Sequence, residues 1–91
     1  MNKSELIAKV ATDTRLTRGE AEEVVDATIE NIIKALMDGD DVRLMGFGVF
    51  TVTRREAGKA RNPKTGKIIK MPASNRPRFK PGKLLKEAVN S

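Results

Sequence analysis

The apolar residues of the first third of the chain recur at the three- to four-residue spacing of one helix face. Asn2, followed three residues later by Glu5, is typical of a residue that caps a helix N-terminus. The pattern therefore predicts a short helix, whose apolar face carries Leu6, Ile7, Val10 and Ala11.

A second, longer helix is predicted from Thr17 to about Met37. Thr17 followed by Glu20 repeats the capping signature, and Gly39 suits the end of the helix because glycine tolerates the left-handed conformation. The predicted apolar face of this helix carries Ala21, Val24, Val25, Thr28, Ile29, Ile32, Ile33 and Leu36. Its outer face is acidic and carries Glu20, Glu22, Glu23, Asp26 and Glu30.

The second half of the chain changes to the composition of β-strands. Residues 42–45 and 49–53 are rich in β-branched and other apolar residues, and they predict two strands joined by a tight turn at residues 46–48. Residues 67–71 are also predicted to be extended. The fold class is therefore α+β, with two N-terminal helices, a three-stranded antiparallel sheet and a short C-terminal helix over residues 82–89.

The sheet is predicted to continue into a long hairpin over residues 54–76, with its tip at residues 62–66. This ribbon lacks the alternating apolar face that would pack it against the rest of the protein. We therefore predict a single domain of residues 1–91, divided into a body (residues 1–53 and 77–91) and a β-ribbon arm (residues 54–76).

Charge is divided unequally along the chain. Residues 1–53 carry six Lys or Arg against ten Asp or Glu, a net charge of −4, whereas residues 54–91 carry twelve bases against two acids, a net charge of +10. A charge split of this kind indicates a polyanionic partner that one region meets, with nucleic acid as the leading candidate. The twelve bases are Arg54, Arg55, Lys59, Arg61, Lys64, Lys67, Lys70, Arg76, Arg78, Lys80, Lys83 and Lys86.

Length and composition exclude several classes of protein. A chain of 91 residues buries only a small core, so we expect oligomerisation to complete it. The chain has no Cys and no His, so we expect no disulfide, no metal site, no cofactor and no enzymatic activity. No apolar stretch has the length of a signal peptide or a membrane span, so we expect an intracellular protein.

The residues also limit the mode of nucleic-acid binding. The chain has three Phe and no Trp or Tyr, and all three Phe lie outside the ribbon, so base stacking on aromatic side chains is poorly supplied. The acidic face of the long helix would repel phosphate. A basic ribbon in a groove of double-stranded DNA remains. At its tip, Pro63 either acts as an apolar wedge between base pairs or only shapes the turn, and Arg61 is placed to enter the minor groove.

Five segments together resemble the HU family of bacterial histone-like DNA-binding proteins. They are Met1-Asn2-Lys3, Gly46-Phe47-Gly48-Val49-Phe50, Arg61-Asn62-Pro63-Lys64-Thr65-Gly66, Pro72-Ala73-Ser74 and Phe79-Lys80-Pro81-Gly82-Lys83. They stand in the family's order and cover essentially the whole chain. Each segment alone is weak, but the combination is specific.

The resemblance implies an intertwined homodimer with a helical base and two β-ribbon arms that embrace DNA. Phe47, Phe50 and Phe79 would form the aromatic core of the dimer, and Pro63 of each subunit would intercalate at a kink. Among the body residues, Lys3, Lys80, Lys83 and Lys86 resemble phosphate contacts. The remaining expected DNA-binding residues are Arg54, Arg55, Lys59, Arg61, Asn62, Lys64, Lys67, Lys70, Asn75, Arg76 and Arg78.

The function that the resemblance implies is binding and bending of double-stranded DNA through the minor groove, with little sequence preference and a preference for bent, nicked or kinked DNA. Such a protein would compact the nucleoid in the cytoplasm, without a membrane or small-molecule partner. The alternative is a site-specific DNA-bending protein similar to integration host factor, which shares the fold and the tip sequence. A protein-interaction dimer, whose basic arm docks on acidic protein or membrane surfaces, is a third hypothesis.

Overall fold

The computed structural model describes all 91 residues, which form two compact units, Met1–Ala35 and Leu36–Ser91. The helices are α1 (Lys3–Thr14), α2 (Arg18–Met37) and α3 (Lys83–Val89). The strands are β1 (Val42–Leu44), β2 (Gly48–Arg55), β3 (Gly58–Arg61), β4 (Ile68–Met71) and β5 (Ser74–Pro81). The predicted α+β fold is therefore confirmed, while the division into a body and an arm stays a prediction.

Both N-terminal helices begin where the capping residues predict. The side-chain Oδ1 of Asn2 accepts a hydrogen bond from the backbone N–H of Glu5 at 2.8 Å. At the start of α2, Thr17 Oγ1 accepts from the Glu20 N–H at 3.1 Å, and Glu20 Oε1 accepts from the Thr17 N–H at 3.0 Å. This reciprocal pair satisfies two of the backbone donors that a helix start leaves free. Gly39, with φ of +77°, follows the end of α2 as predicted.

The first unit has a small core between α1 and α2. Its buried side chains are those of Ile7, Ala21 and Val25, against which Val10 and Ala11 pack. The predicted apolar face of α2 is wider than this core, so a large part of it is not covered within the chain. The large α2 side chains left exposed are Val24 (49%), Ile29 (41%), Ile33 (51%) and Met37 (79%).

The second unit contains a three-stranded antiparallel sheet with the order β1-β2-β5. Phe50 in the central strand pairs with Val42 on one side and with Phe79 on the other. The turn between β1 and β2 lies at residues 45–47, one residue earlier than predicted. Gly48 instead begins β2, where a Cβ would lie 2.5 Å from both the Lys80 carbonyl oxygen and the Phe79 ring.

The ribbon continues the register of the β2–β5 pair, but the strand pairing is interrupted before the ribbon begins. Arg55 pairs with Ser74, and the next pair is Gly58 with Met71, so two residues on each strand lie between the β2–β5 and β3–β4 ladders without a partner. One of them is Pro72, which has no N–H to donate to a ladder. The predicted hairpin is therefore present, although it is divided into two sheets.

One side of the β3–β4 ladder is apolar, contrary to the sequence prediction of a ribbon without an apolar face. Ala60 pairs with Ile69, and Gly58 pairs with Met71, on the same side of the ladder. The alternation of apolar and basic residues is not evident in the sequence because each strand is only four residues long. It becomes visible when the register places the two strands side by side.

Helix α3 follows β5 and is tied to the turn between β1 and β2. The Gly82 N–H donates to the Phe47 carbonyl at 2.8 Å, and the Leu85 N–H donates to the Gly46 carbonyl at 3.2 Å. Pro81 ends β5 opposite Gly48, and Gly82, the first residue of the predicted helix, is its N-cap. The helix is therefore held at the end of the sheet that lies away from the ribbon.

Candidate nucleic-acid interface

Strand register sorts the side chains of the three-stranded sheet into two chemically different faces. Residues in directly opposed pairs project from the same face, and the face alternates from one pair to the next along a strand. One face, here called the basic sheet face, holds five bases and no acid. Its members are Arg43, Val49, Thr51, Thr53, Arg55, Ser74, Arg76, Arg78 and Lys80.

The opposite face, here called the apolar sheet face, carries the aromatic residues. The ring centroids of Phe50 and Phe79 lie 4.8 Å apart, and those of Phe79 and Phe47, in the preceding turn, lie 5.5 Å apart. Phe47 and Phe79 remain 48% and 40% exposed, which is unusual for packed aromatic side chains. The sheet members of this face are Val42, Leu44, Gly48, Phe50, Val52, Pro77, Phe79 and Pro81, followed toward the ribbon by Arg54 and Asn75.

Two predicted DNA-binding residues thus lie on the apolar sheet face rather than the basic one. Arg54 is opposite Asn75, and its Nε lies 3.1 Å from Oε1 of Glu56. Glu56 is the single acid among residues 54–86, and it forms an ion pair with the one base that projects to this side of the β2–β5 ladder. This pair is exposed and therefore weak, so Arg54 differs from the other bases of the β2–β5 ladder mainly in the face from which it projects.

The β3–β4 ladder carries its bases on the side opposite Ala60 and Ile69. Lys59 and Lys70 are directly opposed, and Arg61 follows opposite Ile68. Like charges in directly opposed positions repel each other and destabilise a strand pair. An anion that lies between Lys59 and Lys70 would remove this repulsion, so the ladder is better suited to a polyanion-bound state than to a free one.

The tip is a well-defined turn that holds Pro63 outward. The Asn62 carbonyl accepts the Gly66 N–H at 2.7 Å, and Asn62 Oδ1 accepts the Lys64 N–H at 2.9 Å. The Asn62 N–H also donates to the Lys67 carbonyl at 2.8 Å, which closes the ribbon. Asn62, predicted to contact DNA, thus uses its carboxamide oxygen to shape the turn. Pro63, Lys64 and Lys67 are exposed there.

The predicted phosphate contacts outside the ribbon differ in their availability. Lys3 Nζ lies 2.5 Å from Oδ1 of Asp26, and this hydrogen bond and ion pair raise the pKa of Lys3. Lys83 Nζ lies 3.9 Å from Oε1 of Glu87, one helical turn further along α3. The Lys83–Glu87 pair is exposed and competes only weakly with a phosphate, whereas Asp26 is half-buried and its Oδ1 is buried, so Lys3 is the less available of the two lysines. Lys86 and Lys80 are exposed as well.

Arg43 is the basic residue of this surface that the sequence argument missed. It stands in the acidic part of the chain, where counting charges along the sequence hides it. Strand pairing places it opposite Val49, whose other neighbour is Lys80, so all three share the basic sheet face. The alternation of residues 42–45 could have shown that Arg43 belongs to this surface only if the register of β1 and β2 had been known.

The remaining surface shows little that would suit another kind of site. No three His, Cys, Asp or Glu residues lie together in a group that would hold a metal ion. No helix combines the length and the apolar character needed to cross a membrane. The acidic turn between α2 and β1, at Asp38, Asp40 and Asp41, is exposed.

Comparison with known sequences places the chain in a family. The sequence model of the family described as bacterial DNA-binding protein matches residues 1–90. The DNA-binding protein HRm of Rhizobium meliloti is 52% identical over 90 residues, which cover 99% of this chain and 100% of that protein. The DNA-binding protein HU of Geobacillus stearothermophilus is 52% identical over 89 residues, which cover 98% of this chain and 99% of that protein.

Solved structures share the fold. An Anabaena HU protein crystallised with DNA superposes with a TM-score of 0.87 at 44% identity, over 98% of this chain and 97% of that chain. HU from Thermotoga maritima superposes with a TM-score of 0.69 at 32% identity, over 98% of both chains.

The fold and the basic sheet face define a small α+β protein whose surface suits a polyanion. Within that class, the chain belongs to the bacterial DNA-binding protein family, which includes the HU proteins. This is a family of DNA-binding proteins rather than of enzymes.

Proposed function

We propose that this protein binds double-stranded DNA with little sequence preference and bends it through the minor groove, and that it compacts the bacterial nucleoid. The observation that carries the proposal is the sorting of charge by sheet face. Five bases and no acid lie on the basic sheet face, and the one arginine on the other side forms an ion pair with Glu56. An extended array of bases without acids suits a continuous phosphate backbone.

The ribbon supplies the part that enters the groove. It is two strands wide, carries Lys59, Lys70 and Arg61 on one side, and ends in a turn that exposes Pro63. Proline is rigid and has no N–H, so its insertion between base pairs leaves no donor unsatisfied. We assign Pro63 the intercalating role and Arg61 the minor-groove contact beside it.

The other proposed DNA-binding residues follow from their position. The bases of the basic sheet face and the ribbon hold the phosphates on either side of the groove, and Lys3, Lys83 and Lys86 extend the contact. Arg54, Asn62 and Asn75 have a smaller role, since Arg54 and Asn75 lie on the apolar sheet face and the Asn62 carboxamide shapes the tip. Few side chains are left to read base edges, which supports weak sequence preference.

A homodimer completes the protein. The chain buries only three apolar side chains and has no large side chain that is fully buried, which is too small a core for a stable monomer. Exposed apolar side chains lie on α2 and, separately, around Phe47 and Phe79. A second copy would cover them, and its ribbon would supply a second Pro63.

Bending is tested by measuring the end-to-end distance of a labelled duplex with fluorescence energy transfer. We expect Pro63→Ala to reduce the bend more than the affinity, because a wedge acts on the shape of DNA. The neighbouring Lys64→Gln is the matched control, and it should weaken binding while leaving the bend unchanged. Equal bends for the wild type and Pro63→Ala would reject the wedge, and no bend by the wild type would reject the function.

Competition with random duplex tests the lack of sequence preference. A site-specific binder prefers its site over random DNA by at least about 10³-fold. We expect random duplex to displace any tested duplex of equal length at a similar concentration. A selected duplex that resists this competition by that factor would favour the alternative similar to integration host factor.

A further inference from the structure

The basic sheet face extends across all three strands because of Arg43. Val49 in the central strand pairs with Arg43 of β1 on one side and with Lys80 of β5 on the other. Arg43 and Lys80 therefore stand in one row, two strand spacings or about 10 Å apart. Because side chains stand roughly perpendicular to a sheet, two bases at this separation suit two neighbouring phosphates, one at Arg43 and one at Lys80.

No acidic residue of the chain forms an ion pair with the guanidinium of Arg43. Its side chain is exposed and lies on β1, an edge strand of the sheet. The ion pairs of the protein are Lys3–Asp26, Arg54–Glu56 and Lys83–Glu87, so the nearby Asp41 does not pair with it. No ion pair of the fold therefore depends on Arg43.

The position of Arg43 also distinguishes it from the ribbon bases. Arg43 pairs with Val49, at the end of β2 that lies away from the ribbon. Val49 is six residues before Arg55 in the same strand, which is a distance of about 20 Å. A phosphate at Arg43 would belong to DNA that runs over the sheet, on the side of edge strand β1. It would lie outside the groove segment that the ribbon holds.

We propose that Arg43 binds a DNA phosphate on the β1 edge of the basic sheet face. The surface that contacts DNA would then extend over three strands, β1, β2 and β5, instead of over β2 and β5 alone. This proposal rests on the proposed function, since it assigns one more contact to the same duplex. Its consequence is a longer contacted segment. Each Arg43 that binds a phosphate displaces one counterion from DNA. This raises the magnitude of the slope of log affinity against log salt by about 0.9.

The experiment measures affinity for a long and a short duplex across a salt series, for the wild type and four variants. Arg43→Gln should lower the magnitude of the slope by about 0.9 for each bound copy on the long duplex. It should have little effect on a duplex just long enough for the ribbons. Arg43→Lys keeps the charge and should retain the wild-type slope. Lys34→Gln, an exposed base in the last turn of α2, is the matched control for net charge.

Arg78→Gln separates the failure of this inference from the failure of the proposed function. Arg78 lies in the next row of the same face, on β5 and thus within the surface of β2 and β5. A reduced slope for Arg78→Gln with an unchanged slope for Arg43→Gln would overturn the role of Arg43 alone. A wild-type affinity that does not depend on salt would overturn the proposed function itself. Equal losses for Arg43→Gln and Lys34→Gln would show a general charge effect and would also overturn the role of Arg43.

Discussion

Arg54 and Arg76 lie in neighbouring rows of the same strand pair, yet they differ in what they can bind. Arg54 is paired with Asn75, and Arg76 is paired with Thr53 one row away, so the two guanidiniums project from opposite faces. Arg54 also forms an exposed ion pair with Glu56, whereas Arg76 has no acidic partner. At the scale of residues, the face of the sheet and not the position in the sequence decides whether a base is available to DNA.

This difference predicts unequal effects of two identical substitutions. Arg76→Gln should weaken DNA binding and lower the magnitude of the salt slope by about 0.9 per bound residue, because it removes a phosphate contact. Arg54→Gln should change the slope much less, since Arg54 projects from the opposite face of the sheet. The two variants have the same net charge, so each serves as the control for the other. Equal changes in the salt slope for the two variants would show that the face of the sheet does not determine which bases contact phosphate.

At the scale of elements, α2 shows how local sequence determines a boundary. The Thr17–Glu20 pair forms the reciprocal hydrogen bonds that its spacing predicts, and Gly39 ends the helix by its backbone conformation. These signals depend on residues three apart, so they can be read without knowledge of the fold. Both helix starts and the two-helix, sheet and short-helix order were therefore predictable.

The sheet faces were less predictable because they depend on register. The sequence indicated strands and a basic ribbon, but it did not show that Arg43 joins the basic sheet face or that Arg54 leaves it. Which strand lies beside β2, and in which register, depends on contacts between residues that are far apart in the chain. The apolar side at Ala60 and Ile69 was missed for the same reason.

The capping pair of α2 predicts a dependence of stability on pH. Hydrogen bonds from Thr17 lower the pKa of the Glu20 carboxyl in the folded protein. Its carboxylate therefore stabilises the fold at pH values above the unfolded pKa of about 4.3, and the effect is lost as pH falls through the lower, folded pKa. We expect Glu20→Gln to be less stable than the wild type near neutral pH and to approach it in acid.

Thermal unfolding followed by circular dichroism from pH 7 to pH 3 would measure this effect. Glu23→Gln, which removes the same charge from the same helix but no cap, is the matched control. Thr17→Ala removes the other half of the pair and should cost about 1 kcal/mol of unfolding free energy. A constant difference between the wild type and Glu20→Gln over the whole pH range would contradict the assigned role of the cap.

The β3–β4 ladder predicts opposite effects of one substitution on the free and the bound protein. Lys70→Gln removes the repulsion with Lys59, so backbone amides of this ladder should exchange more slowly with solvent in the free protein. The same variant should bind DNA more weakly, because it loses a phosphate contact. Lys67→Gln, outside the ladder, should weaken binding without slowing exchange. Faster exchange in Lys70→Gln would refute the repulsion.

At the scale of the whole molecule, the small core sets the need for a partner. Val24 and Ile33 on α2, and Phe47 and Phe79 in the second unit, are all at least 40% exposed in the single chain. Covering such side chains releases water from apolar surface, which is the main source of stability in a small protein. The same association would also place two ribbons on one duplex.

Dimerisation predicts that stability depends on protein concentration. The midpoint of thermal unfolding should rise as the concentration is raised, because association favours the folded state. Phe79→Ala should lower the midpoint strongly, since the ring contacts both other phenylalanines. Met45→Ala, at a fully exposed turn position, is the control for a lost apolar side chain. A midpoint that is independent of concentration, with a monomeric mass by light scattering, would contradict the dimer.

The basic, ribbon-bearing surface is proposed to bind DNA through its phosphates and to bend it. The most direct test is a gel-shift titration that compares nicked with intact duplex across a salt series. A nick makes the duplex easier to bend, so the protein should bind it more tightly at every salt concentration, and both affinities should fall steeply, by about 10³-fold or more between 50 and 200 mM salt. Equal affinities for the two duplexes that do not change with salt would contradict both the phosphate contacts and the bending.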